Sequence, residues 1–256
     1  DITLKDTNSI SSNVTGAGKT TISTGTTTLE SGSSISQGEL SIVSGATYVN
    51  EGTTSAKLTN NGTLSNAGTF TANEGSVNNN GINGTGTLNL NGAFTNNAAL
   101  EQGTLNFTNG SVFTTSDNKN VTLANITNDT NGGTFNTKNN SYNNYTFGTA
   151  DLSSALNLAI DMDITDTSSV NADTFRLNGG NGTFNISELD LTGAAAFKAL
   201  TEDKEVIKQI LTDANANTKL TIADSIKNAF NSTQTETTHH KYTIENNTVA
   251  YDDVLT

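Results

Sequence analysis

The residues best placed by type and spacing to do chemistry are the acids past the middle of the chain. Asp161, Asp163 and Asp166 lie within one short stretch, with Asp151 and Asp173 close by. Residues two apart on a strand share a face, so Asp161 and Asp163 could together offer oxygens to Ca²⁺, and they are the weak metal candidate. The plainer reading is an outward strand face whose acids are solvated and keep an edge from pairing. Inverting hydrolysis of a polysaccharide needs two acids about 6.5–9.5 Å apart across a groove. Asp161 with Asp173, near the chain's one arginine, Arg176, is the pair that would supply them. Surface charge is again the simpler account, so no catalytic residue is assigned and the chain is read as a non-enzyme. A polysaccharide lyase or hydrolase stands as an alternative.

Other chemistries have less to stand on. Gly179-Gly180-Asn181-Gly182 looks like the opening of a calcium-binding nonapeptide turn, but Phe184 occupies the place of the required Asp, so a tight turn is expected. His239 and His240 point to opposite faces if extended and do not share a metal readily. With no Cys there are no disulfides, thiolate ligands or Cys nucleophiles. No phosphate loop, redox motif or Ser-His-Asp arrangement occurs, and no cofactor is expected. Thr-x-Thr pairs at Thr24/Thr26, Thr26/Thr28, Thr69/Thr71 and Thr85/Thr87 raise ice binding, yet they arise freely in so Thr-rich a chain and do not recur once per coil. Asn-x-Thr sequons such as Asn106-Phe-Thr108 and Asn125-Ile-Thr127 also follow from composition.

The elements that would carry these residues are set by a repeat. Glycines fall at Gly25, Gly32, Gly38, Gly45 and Gly52, then at Gly62, Gly68, Gly75 and Gly81, in steps of six or seven. Apolar residues keep the same beat through Leu64, Phe70, Val77, Ile82, Leu88, Phe94, Leu100, Leu105 and Val112. Such a step is too short for a helical repeat and too long for one alternating strand. It fits a strand of three or four residues and a turn. Gly and Asn suit the turns because both tolerate positive φ, and Thr suits outward strand positions. Three strand–turn steps make roughly twenty residues, enough to wind once round a narrow core and pair in parallel about 4.8 Å above the coil beneath. Residues 1–192 therefore read as coils of a parallel β-helix, an all-β solenoid. Antiparallel β structure and disorder compete with that reading. Leu156, Leu158, Ile160, Met162 and Ile164 form the one long alternation the first would need.

Composition agrees with a thin core. Only 32% of the residues are apolar and 14% charged, whereas Thr, Asn and Ser number 46, 38 and 23. A disordered chain of this polarity would carry more charge and more Pro. The net charge of −13 argues against nucleic acid and anionic membranes as partners. No apolar run is long enough to cross a membrane as a helix. Near residue 193 the pattern changes. Phe197, Leu200, Ile207, Ile210, Leu211 and Ala214 share one helical face, and a second short helix is plausible around Ile222, Ile226 and Phe230. Residues 241–251 alternate about Asn246-Asn247 and read as a hairpin or as two successive coil strands. The segment 193–256 is expected to cap the solenoid or to leave it and return.

These residues resemble the passenger region of a Gram-negative autotransporter or a related large surface adhesin. The Asn-Gly-Thr-Leu and Gly-Thr-Phe steps between 61 and 135 are similar to its coils. The run from Leu156 to Ile164, Ala172-Asp173-Thr174-Phe175 and Gly182-Thr183-Phe184-Asn185-Ile186 resemble the strands late in such passengers. Tyr242 to Tyr251 is similar to strands that precede the translocator, although no membrane barrel follows Thr256. Beginning at Asp1 and not at Met, the chain reads as part of something longer. The resemblance implies a right-handed parallel β-helix outside the cell, often adhesive or self-associating. Two function classes follow. One is an extracellular structural and adhesive stalk whose partner is a surface glycan or protein of a host or neighbouring cell. The other is a filament or surface-layer subunit that stacks head to tail.

Overall fold

Short strands that cannot bury a face alone must stack on copies of themselves, and this chain does so from its first residues. The computed structural model describes residues 1–116, 120–163, 165, 171–193, 208–213, 217–226, 240–245 and 248–253. Three ladders of parallel strands run along them, one per face of the coil. On face 1, Ile2–Leu4 lies under Lys19–Ile22, and the ladder climbs through Leu40, Leu58, Phe94, Phe113, Phe135, Leu158 and Ile186 to Ile222. On face 2, Asn8–Ile10 begins a ladder through Leu29, Leu64, Ile82, Leu100, Leu123 and Phe147 to Leu177. On face 3, Val14–Thr15 leads to Ile35, Thr54, Phe70, Leu88, Leu105, Ile126, Ala150 and Gly180. The fold is an all-β solenoid of stacked parallel coils, as the six-residue beat requires.

One inward apolar side chain per short strand is enough because each is covered from above and below. Ile22, Leu40, Leu58, Leu64, Phe70, Leu88, Leu105 and Ile126 have no exposed surface. Coil length is not constant. Thr53 pairs with Thr69 and Thr69 with Thr87, but higher up Asn125 pairs with Thr149, Ala150 with Gly180 and Gly182 with Thr218. Longer coils enclose a wider interior, and aromatic rings fill it. Phe135 is the hub, with ring centres of Phe113, Tyr145, Phe147 and Phe175 at 4.9, 5.6, 5.6 and 6.0 Å.

The structure differs from several of these expectations. Val77 and Val112 do not point inward; Ser76, Asn78 and Phe113 do. Ser76 is tolerated there because its hydroxyl accepts from the Leu58 N–H at 2.9 Å and donates to the Asn73 carbonyl at 2.5 Å. The strand Leu156–Asp163 is not a one-sided alternation, since Leu158 through Met162 are all buried. Asn171–Ala172 folds back antiparallel on Met162 and Asp163 and covers it there.

Beyond residue 193 the helical face is replaced by strand wherever it is described. Lys208–Gln209 and Leu211–Asp213 are extended, and Leu211 pairs with Phe175 on the open upper edge of face 2. That edge offers backbone partners and a place for fully buried Ile210 and Leu211, which outweighs the helical spacing. Phe197, Leu200, Ile207 and Ala214 lie outside the described residues, as does Phe230. Thr218–Ile222 continues face 1, and residues 224–226, the last described before the next gap, are helical. His240–Glu245 and Thr248–Asp253 pair antiparallel, so of the two readings of this end the hairpin is the one realised.

Candidate functional site

The acids that looked most able to do chemistry hold backbone. Asp173 has no exposed surface. Its Oδ1 accepts from the Asn143 N–H at 2.9 Å, and its Oδ2 accepts from the Asp161 N–H at 2.9 Å and lies 2.8 Å from the Thr137 hydroxyl. That hydroxyl also lies 3.0 Å from the Ala159 carbonyl, so one proton faces two acceptors. Protonation of Asp173 resolves the conflict, because the acid then donates to Thr137 and Thr137 donates to Ala159. Burial acts in the same direction, raising the Asp173 carboxyl to about 6 against the pull of its hydrogen bonds from Asp161, Asn143 and Thr137.

Asp161 is buried too, and its Oδ2 accepts from the N–H groups of Asn139 and Asn140 at 2.6 and 2.8 Å. It is therefore not on a solvated outward face. Asp163 is half-buried, and its Oδ1 accepts from the Thr165 N–H at 2.8 Å. Asp161 and Asp173 are indeed brought together, as antiparallel backbone neighbours with an Asp173 N–H to Asp161 carbonyl bond of 3.1 Å. Each aims its carboxylate at main-chain donors, so the pair pins residues 137–143 against the strand Leu156–Asp163. Among the described residues no three His, Cys, Asp or Glu side chains are grouped to hold a metal. Asp166 and His239 lie outside the described residues; His240 opens the strand His240–Glu245.

Gly180 sits in register with Ala150, and a Cβ there would meet the Ala150 carbonyl oxygen at 2.1 Å. The glycine run therefore lets one coil pass close over another. A cleft on face 2 is lined by residues 120–122 and 143–146, with no carboxylate or cation among them, and Tyr145 there is buried and stacks on Phe175.

The residues that the sequence reading did not single out are asparagines. Asn60, Asn78 and Asn96 are fully buried on successive coils, linked Nδ2 to Oδ1 at 2.7 Å each. A second buried chain runs from the Tyr48 hydroxyl to Thr54, Asn50, Asn66 and Gln102. Gly84 occupies the rung between Asn66 and Gln102, and the longer Gln side chain spans it at 2.7 Å. These corner amides do not supply positive φ, which among the described asparagines only Asn109 and Asn140 adopt. They tie coil to coil. Asn50 and Asn66, for instance, also donate to the carbonyls of Thr69 and Thr87. The signal was present as Asn recurring every 18 residues at 60, 78 and 96 and at 61, 79 and 97.

Outside, face 3 carries two columns without a break. One is Ser34, Thr53, Thr69, Thr87, Thr104, Asn125 and Thr149; the other is Ser36, Ser55, Thr71, Asn89, Asn106, Thr127 and Asp151. Thr69/Thr71 is the one Thr-x-Thr pair in these columns, so such pairs do not recur once per coil; what recurs is a polar pair in which Ser, Asn or, at the top, Asp takes one or both places. Asn89, Asn106 and Thr127 bond upward from Thr71 at 3.4, 3.0 and 2.8 Å, so the second column is internally linked. Neither column holds an ionisable group below Asp151. Face 1 differs, with Lys19 and Glu39 paired at 2.8 Å and Lys57 above them. Comparison of the chain with protein-family models, with curated proteins and with solved structures gives no match.

Proposed function

We propose that the chain is a structural and adhesive stalk, displayed outside the cell, and that it performs no catalysis. The observation that carries this reading is the continuity of three parallel ladders around an interior closed by apolar stacks and amide chains. Such an interior makes a stiff body whose outer faces are regular arrays. The buried acids support it, because Asp161 and Asp173 are committed to main-chain donors. The absence of Cys supports display outside the cell, since no premature disulfide obstructs export of an extended chain. Adhesion through such a surface is the sum of many weak polar contacts.

Two measurements on intact source cells test the proposal. An antibody raised against the chain should label unpermeabilised cells, and beads coated with the folded chain should adhere to cells where beads coated with the urea-unfolded chain do not. Labelling only after permeabilisation, or equal adhesion of both bead types, overturns it.

A further inference from the structure

Resting on the stalk reading, we infer that face 3 is a docking track for a neutral, equatorially linked polysaccharide lying along the solenoid axis. Three observations converge on that occupant. The first is charge. The chain carries −13, yet no ionisable group occurs in the column from Ser34 to Thr149 or in its neighbour from Ser36 to Thr127. An anionic polymer is repelled by the rest of the molecule, and a cationic one gains nothing from this face. A neutral one meets neither penalty.

The second is period. Rungs repeat about every 4.8 Å, and the two columns lie two residues apart along each strand, roughly 6.6 Å. A pyranose in an extended, equatorially linked chain advances by close to one such rung. Each coil from Ser34/Ser36 to Asn125/Thr127 therefore presents one hydroxyl–amide or hydroxyl–hydroxyl pair to one sugar, and Asp151 beside Thr149 marks the end of the neutral track. The five steps from Ser34 to Asn125 make a track of about 24 Å.

The third is preorganisation. The Thr71, Asn89, Asn106 and Thr127 side chains are already held by one another, and Thr149 donates to Asn125 at 2.9 Å. Little rotamer freedom is left to lose on binding. A third outward position continues the polar surface through Asn73, Asn91 and Thr108. Neither column carries an outward aromatic ring, so each sugar binds weakly and the track holds a glycan by repetition.

The test uses the full chain with suspensions of microcrystalline cellulose and of chitin, both neutral β-1,4-linked polymers, and with soluble alginate as the anionic comparator. The triple variant Thr69→Val, Thr87→Val, Thr104→Val removes three hydroxyls from face 3 while keeping β-branching. The matching triple Thr59→Val, Thr95→Val, Thr114→Val does the same on face 1. Far-ultraviolet circular dichroism and urea midpoints establish that both remain folded. Cellulose or chitin should retain the wild type and the face 1 triple alike, with retention about tenfold weaker for the face 3 triple and none on alginate. No retention of the wild type, or equal loss in both triples, overturns the inference. So does retention replaced by thermal hysteresis in ice growth, or by a dimer in light scattering that the face 3 triple abolishes. Adhesion of coated beads to cells without glycan retention removes this inference and leaves the stalk standing. Glycan retention with no surface labelling removes the stalk and leaves the track.

Discussion

Asp173 shows how a residue chosen for its chemistry can be occupied by structure. Its carboxyl is raised by burial to about 6, above its ordinary value of 3.8. A group whose folded value is raised favours the folded state fully below its ordinary value, and that contribution is lost as pH rises through the folded value. Here the window is roughly pH 4 to 6, and the difference amounts to about 3 kcal/mol by pH 7. Urea unfolding from pH 4.5 to 7.5 should show about two-thirds of this loss, about 2 kcal/mol, in the wild type. In Asp173→Asn the slope should flatten, whatever the starting stability, because the amide does not titrate. A slope unchanged by the substitution would mean that another group titrates in this window. The Thr137 hydroxyl, caught between Asp173 and the Ala159 carbonyl, is the geometric reason that the proton belongs here.

At the scale of the element, the corner amide chains fix which coil lies on which. Asn78 takes the Asn60 amide and gives its own to Asn96, both at 2.7 Å. Asn78→Ala strands a buried donor below and a buried acceptor above, which should cost about 2–4 kcal/mol in urea unfolding. Asn79 makes a like chain on the surface in the opposite direction, donating to Asn61 and accepting from Asn97, both at 2.9 Å. There water replaces the lost partner, and Asn79→Ala should stay within about 0.5 kcal/mol. Equal effects of the two substitutions would contradict the role given to burial.

The beat of apolar residues made the strands, the turns and the three-sided coil legible. It placed Leu64, Phe70, Ile82, Leu88, Phe94, Leu100 and Leu105 inside, where they are. It misplaced Val77 and Val112, because a period of six does not say which of two neighbours faces in, and Ser76 has a backbone partner waiting. Ile210 and Leu211 kept helical spacing but were captured by an open sheet edge that only the fold creates. The acids gave no sign of burial, since nothing in their spacing announces the return strand Asn171–Ala172. Face 3 was hidden for a related reason. Its Thr, Ser and Asn members become one column only when coils of unequal length are stacked in register.

At the scale of the whole molecule, the chain climbs one strand spacing per coil along a single axis. Thr21, Ser41, Thr59, Val77, Thr95, Thr114 and Asn136 form one outward column on face 1. The chain has no cysteine, so pairs of nitroxide labels can be placed there without background. Pulsed electron–electron resonance on Thr21→Cys combined in turn with Thr95→Cys, Thr114→Cys and Asn136→Cys reads the column directly. Tether offsets are shared within one column and cancel in the differences. The distances should grow by about 4.8 Å from each partner to the next, to about 19, 24 and 29 Å. Distances that fail to increase in that order, or that cluster at one value, would contradict the solenoid and everything argued from its faces.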